Sequence, residues 1–166
     1  CSIKSLTRDY LYKQLLSSGE YTFDHMLVIK DPYGEAPLTA LALFILEEPA
    51  CVRVTTKGNL KETDFVTELP KKKEHRVPIL GMYAEKANDI VIEILDDEGN
   101  CVKSHTFTIR TKRLPKSLRN VITVKKWTDK PAYSNIMING GVKIHTCVFD
   151  IEGKIRYYLS RKPRGY

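Results

Sequence analysis

Residues Leu38 to Leu46 form a near-continuous apolar run of nine residues, closed by Glu47-Glu48. A segment like this has no polar face to give to water, so it must be covered on both sides. It is less than half of the roughly 20 residues that a membrane-spanning helix needs. It reads instead as a β-strand buried at the centre of a sheet. The patterns around it agree. Tyr21, Phe23, His25, Leu27 and Ile29 alternate with Thr22, Asp24, Met26 and Val28, and Asp31-Pro32-Tyr33-Gly34 ends that run as a turn. Cys51 to Lys57 alternates in the same way before Gly58-Asn59. Three more strands are expected near Asp64 to Leu69, Arg76 to Tyr83 and Ile90 to Leu95. The last is joined through Asp96-Asp97-Glu98-Gly99-Asn100 to a strand from Val102 to Arg110.

Seven short strands at regular spacing, with no helical pattern between them, predict an all-β fold: an immunoglobulin-like antiparallel β-sandwich over residues 20–110. Ahead of it, Leu6, Tyr10, Leu11 and Leu15 share one helical face, and Ser17-Ser18-Gly19 stops the segment, so residues 1–19 should carry a short amphipathic helix over Lys4 to Leu16. Lys71-Lys72-Lys73 lies between two expected strands and reads as a solvated loop. At 166 residues, 42% hydrophobic and 28% charged, the chain has room for one such domain and part of a second.

Charge divides the chain at about the same place. Residues 1–110 carry 14 Lys and Arg against 17 Asp and Glu, whereas residues 111–166 carry 13 against 3. Residues 111–131, with Pro115 and Pro131, read as a basic linker. Residues 132–166 hold one hairpin, His145 to Phe149 and Lys154 to Leu159 flanking Asp150-Ile151-Glu152-Gly153. Gly140-Gly141 fits no phosphate-binding pattern and should bend the chain before a strand. A nucleic-acid partner is not expected, because Trp127 and Tyr133 are the few stacking candidates among the basic residues.

No catalytic constellation can be named. His25, His75, His105 and His145 lie on different strands or strand edges, with no nucleophile fixed near them by spacing. His25 sits on the more apolar side of its alternation and reads as a structural histidine. Cys1, Cys51, Cys101 and Cys147 lie about fifty residues apart, without zinc-ligand spacing. The even count permits two disulfides, and buried free thiols are the simpler reading. Asp96 to Asn100 lacks the distal bidentate glutamate of a calcium loop and reads as a hairpin turn. No catalytic residue, cofactor-binding residue or metal ligand is therefore expected. The chain begins at Cys1, which is what lipoprotein processing, signal removal or simple trimming would each leave.

The stretch Asp31-Pro32-Tyr33-Gly34-Glu35-Ala36-Pro37-Leu38-Thr39-Ala40 resembles the signature near the start of bacterial arylsulfate sulfotransferases, in which asparagine commonly stands where Asp31 is. Val52 to Thr55, Val77 to Tyr83 and Asn88 to Ile94 follow in an order similar to that family's amino-terminal domain. The resemblance implies a β-sandwich followed by a six-bladed β-propeller, of which Val148 to Tyr158, similar to its Asp-x-x-Gly blade hairpins, would be the truncated start. It implies a parent protein that moves a sulfuryl group from a phenolic sulfate ester to a phenol, with catalytic histidines and arginine in later blades. The chain itself would be a non-catalytic accessory and assembly domain, inactive alone, and extracytoplasmic: secreted, periplasmic or lipid-anchored. Its expected partners are its own propeller and a possible second copy, residues 142–160 being expected either to pack against the sandwich or to pair with another copy of the chain, the latter slightly favoured, with membrane contact only through Cys1. A free-standing immunoglobulin-like adhesion or carbohydrate-binding module would share the strand pattern but leave the Pro-Tyr-Gly-x-Ala-Pro match unexplained.

Overall fold

The structure, a computed structural model, describes residues 3–120, 122–123, 136–142 and 145–160. Helix α1 (Ile3–Ser17) precedes strands β1 (Leu27–Lys30), β2 (Ala40–Thr56), β3 (Phe65–Ile79), β4 (Ala87–Leu95) and β5 (Cys101–Arg110). After them come β6 (Ile136–Val142), β7 (His145–Asp150) and β8 (Ile155–Tyr158). The first five strands form an antiparallel sheet in the order β1-β2-β4-β5, with β3 also paired to β2, and the last three form an antiparallel meander.

Strand β2 organises the sandwich. Its first half pairs with β1 and with the second half of β3, from Ala40↔Ile79 to Ile45↔Glu74. Its second half pairs with the first half of β3 and with β4. The register slips between Ile45 and Val52, where Glu47, Glu48 and Pro49 fall. A bulge there bends the long ribbon. Ala40, Ala42, Phe44 and Leu46 then share one buried cluster with Val52, Val54, Ile90, Ile92 and Ile109, so the two halves supply opposing layers of one core. On the outer face of the first half, Leu41 and Leu43 are covered by Tyr12 and Leu16 of α1.

Several sequence expectations are corrected here. Leu38 to Leu46 and Cys51 to Lys57 are one strand, and Asp64 to Leu69 and Arg76 to Tyr83 belong to another that ends at Ile79. Lys71-Lys72-Lys73, expected as a solvated loop, is strand instead. Pro49 falls at the bulge, and Pro70 and the lysines lie in β3, which among the described strands pairs with β2 alone and can lack N–H groups along its open side. The alternation from Tyr21 becomes a ladder only at Leu27–Lys30; Phe23 is buried, and His25 is exposed rather than structural. In α1 the buried side chains are Tyr12 and Leu16, whereas Tyr10 and Leu11 face solvent, and the side chain of Leu6 lies outside the described residues. The hairpin has a third strand, β6, which contains Gly140-Gly141 and a register shift between Asn139 and Val142.

The Asp-Pro-Tyr-Gly turn is the socket for α1. Asp31 takes φ 47°, a left-handed conformation that asparagine and aspartate tolerate better than most residues, and its Oδ1 accepts from Ala36 N at 2.9 Å. The Pro32 carbonyl accepts from Tyr12 Oη at 2.6 Å and Arg8 Nη1 at 3.1 Å. Tyr33 Oη donates to Asp9 Oδ1 at 2.8 Å, and Arg76 bonds to the same carboxylate and holds it below the usual carboxylate range.

His75 sits behind the bend of β2. It is 2% exposed, stacks on Phe44 at 5.3 Å and bonds through Nε2 to the Lys72 carbonyl at 2.8 Å. Burial, opposed by the nearby carbonyls of Lys72 and Ala50, lowers its pKa from 6.5. Below that ordinary value the unfolded chain binds a proton that the folded chain excludes. The His75 contribution is thus complete above 6.5 and is lost as pH falls through the folded-state value. Urea midpoints across this range should drop more steeply in the wild type than in His75→Phe. Parallel pH profiles would contradict the assignment.

Candidate functional site

The densest polar arrangement lies where the meander meets the sandwich. Asp150 closes β7 and organises the turn that follows: its Oδ1 accepts from the N–H groups of Glu152 and Lys154, each at 3.0 Å, and Gly153 takes φ 73°. Its Oδ2 points inward and accepts from Arg156 Nη1 at 3.0 Å and from Tyr83 Oη at 3.0 Å. Arg156, the second residue of β8, also donates from Nε to the Gly81 carbonyl at 2.6 Å and from Nη1 to the Thr63 carbonyl at 3.0 Å. Nη1 lies 2.9 Å from Tyr83 Oη, and the guanidinium carbon lies 3.9 Å from the centre of the Tyr83 ring. Both charged side chains are 0% exposed.

The sandwich side is equally well fixed. Asn88 accepts from Tyr83 N at 2.7 Å through Oδ1 and donates to the Tyr83 carbonyl at 3.0 Å through Nδ2, which fixes the backbone that carries the phenol. The Tyr83 hydroxyl accepts from Asn59 N at 3.1 Å, and burial pushes its pKa up, so its proton stays available to Asp150. Gly81 takes φ 75° in the turn after β3, and a Cβ there would lie 2.8 Å from Phe65 Cβ. Glycine therefore lets the chain turn tightly enough to aim its carbonyl at Arg156. Below this polar layer, Cys147, Ile155 and Tyr158 join the sandwich core, as does Leu118 from the segment after β5.

A carboxylate sealed from water and saturated with donors has no lone pair left for a ligand, and its bonds tie the β7–β8 hairpin to the sandwich. The other candidates are dispersed. His105 packs near Phe23 and Phe107, His75 lies behind the bend, and the side chain of His145 lies outside the described residues. Cys51, Cys101 and Cys147 are free thiols, the last buried with its pKa raised by burial, and Cys1 lies outside the described residues, as do Trp127 and Tyr133. Asp96 caps its own hairpin turn, with Oδ1 accepting from Asn100 N at 2.7 Å and Glu98 N at 3.0 Å. Sequence reading did not find the Asp150–Arg156–Tyr83 cluster. Its available signal was an arginine inside the otherwise apolar Ile155-Arg156-Tyr157-Tyr158 strand, one turn after an aspartate.

Open antiparallel sheets with a bent ribbon between two layers define an all-β domain of immunoglobulin-like class. Residues 27–112, just over half of the chain, match the arylsulfotransferase Ig-like domain, and the chain belongs to that family. The matched span includes the Asp31 to Ala40 signature and all of the five-stranded sheet. A search of curated proteins returns no match.

Removing one partner of a buried ion pair strands the other, at a typical cost of about 3 to 5 kcal/mol. Arg156→Met and Asp150→Asn should each lower unfolding stability on that scale, with Arg156→Met/Asp150→Asn less destabilised than the sum of the two. Additive losses in chemical denaturation would show that the pair is not coupled.

Proposed function

We propose that residues 20–110 are a non-catalytic accessory domain of an arylsulfotransferase-like protein. In this reading β7 and β8 begin that protein's catalytic propeller, and the sandwich holds those strands in position. The observation that carries the reading is the buried Asp150–Arg156 pair, whose Arg156 Nε and Nη1 and Asp150 Oδ2 bond in addition to groups in the turns after β2 and β3 of the sandwich. A mere tether would not bury two charges against a neighbouring domain, because desolvation must be offset by several well-directed bonds. The Asp-x-x-Gly turn itself supports the propeller reading, since its carboxylate serves both the hairpin and the sandwich.

Sulfuryl transfer from a phenolic ester needs a positioned nucleophile and cationic stabilisation of the leaving phenolate. Arg156 is the cation nearest to such a role, and its side chain is wholly buried, with Nε and Nη1 bonded to protein oxygens and Nη2 without a partner among the described residues, so no part of it is open to a phenolate. Incubated with an aryl sulfate donor and a phenol acceptor, the purified chain should release no more phenol than the blank. Saturable turnover that is lost in Arg156→Met would overturn the accessory assignment.

An extracytoplasmic location belongs to the same proposal, and its support is the family relationship. Fractionated cells expressing the natural gene should yield the protein in the envelope, periplasmic or secreted fraction, and a protein confined to the cytosol would remove this location from the reading.

A further inference from the structure

We propose that the cleft between the β7–β8 turn and the segment after β5 binds a small organic anion, a single apolar ring that carries one sulfonate, sulfate or carboxylate group. The cleft holds about 330 Å³. That is the lower end of the ~300 to 1,000 Å³ typical of ligand pockets, so one ring fits and a dinucleotide does not.

The main chain fixes the walls. Glu85 N donates to the Lys112 carbonyl at 3.1 Å and Thr111 N to the Lys86 carbonyl at 3.2 Å, which lays the start of the basic segment along the turn before β4. Leu114, Leu118 and Ile122 then follow at intervals of four residues; Leu118 belongs to the core, and the other two pack against it. With Ile155 of the hairpin they give the cleft an apolar floor continuous with that core.

The charged groups that line the cleft are not balanced. Arg113 Nε lies 3.2 Å from Glu85 Oε2, and Glu152 Oε2 accepts from Asn59 Nδ2 at 3.1 Å. Arg119 and Lys154 also line the cleft, and neither forms an ion pair among the described residues. Arg119 Nε donates to the Leu114 carbonyl at 2.8 Å, which holds the guanidinium beside the floor and leaves its two outer nitrogens for another acceptor. Three cations against two carboxylates give the lining an excess of positive charge, within a stretch, residues 111–166, that has 13 basic residues against 3 acidic ones. A cation would be repelled by that excess, and a bare inorganic anion would leave the floor uncovered. A ring with one anionic group meets both, its oxygens accepting charge-assisted bonds from Arg119 and Lys154. The inference stands whether or not the chain is an accessory domain.

Nuclear magnetic resonance titration of the isotope-labelled full chain with benzenesulfonate tests the proposal. The carbon–sulfur bond of this probe offers no group to transfer, so binding is read apart from any turnover. Saturable shift changes should gather on the amides of Ala84, Asn120 and Lys154, with a dissociation constant of about 1 mM or tighter, as about ten non-hydrogen atoms can sustain. Arg119→Gln and Lys154→Gln should each weaken binding about three- to tenfold. Lys71→Gln, on β3, should leave it unchanged, and neither inorganic sulfate nor uncharged benzyl alcohol should match the affinity of benzenesulfonate. Should Arg119→Gln fail to fold, Lys154→Gln decides alone, because the side chain of Lys154 is exposed. Binding that does not saturate, shifts centred elsewhere, an unchanged affinity in Lys154→Gln, or inorganic sulfate or benzyl alcohol binding as tightly as benzenesulfonate overturns the proposal.

Discussion

Leu43 and Phe44 are consecutive residues of one strand, their side chains point to opposite faces, and both are 0% exposed. A strand with both faces buried needs two separate covers, and much of the architecture supplies them. On one side the cover is the chain itself: the bulge turns the second halves of β2 and β3, with β4 and β5, back over Phe44. On the other side it is α1, held by the Asp-Pro-Tyr-Gly turn. Each fully buried leucine or phenylalanine contributes about 1.5 to 3 kcal/mol relative to exposure. Leaving either face uncovered would thus remove a large share of the net stability of a domain this size.

The contact between meander and sandwich follows another logic. Apolar contacts of Cys147, Ile155 and Tyr158 tolerate small displacements, whereas the hydrogen bonds of Arg156 do not. A guanidinium fork that reaches Gly81, Thr63, Tyr83 and Asp150 together fixes rotation as well as distance. Burying charge in this way contributes less to stability than apolar packing of equal volume and more to uniqueness of position. That balance suits a junction whose partner must be presented in one orientation.

The extent to which the sequence disclosed this structure varied with the range of the determining contacts. The apolar run, the alternation of the later strands, the turn at Asp96 and the Asp150 hairpin depend on neighbours a few residues away, and all were readable. Lys71-Lys72-Lys73 read as a loop because local propensity cannot tell a central strand from an edge, and the pairing of the described strands is what shows that β3 has an open side. Spacing alone put Tyr10 and Leu11 on the buried face of α1. The observed face is chosen by Tyr12, whose hydroxyl finds the Pro32 carbonyl. The Arg156 cluster draws on four separate stretches of chain, and no pattern within one of them encodes it.

Cys147 and Cys101 sit at opposite extremes of access, one 0% exposed inside the joint core and the other on the surface. A thiol reagent in solution therefore meets these two sites with different clocks, with the half-buried Cys51 between them. Cys101 reacts at the rate set by the chemistry, while Cys147 must wait for the meander to lift away from the sandwich. The native chain thus carries a built-in timer, and the delay before Cys147 reacts measures how often the joint opens.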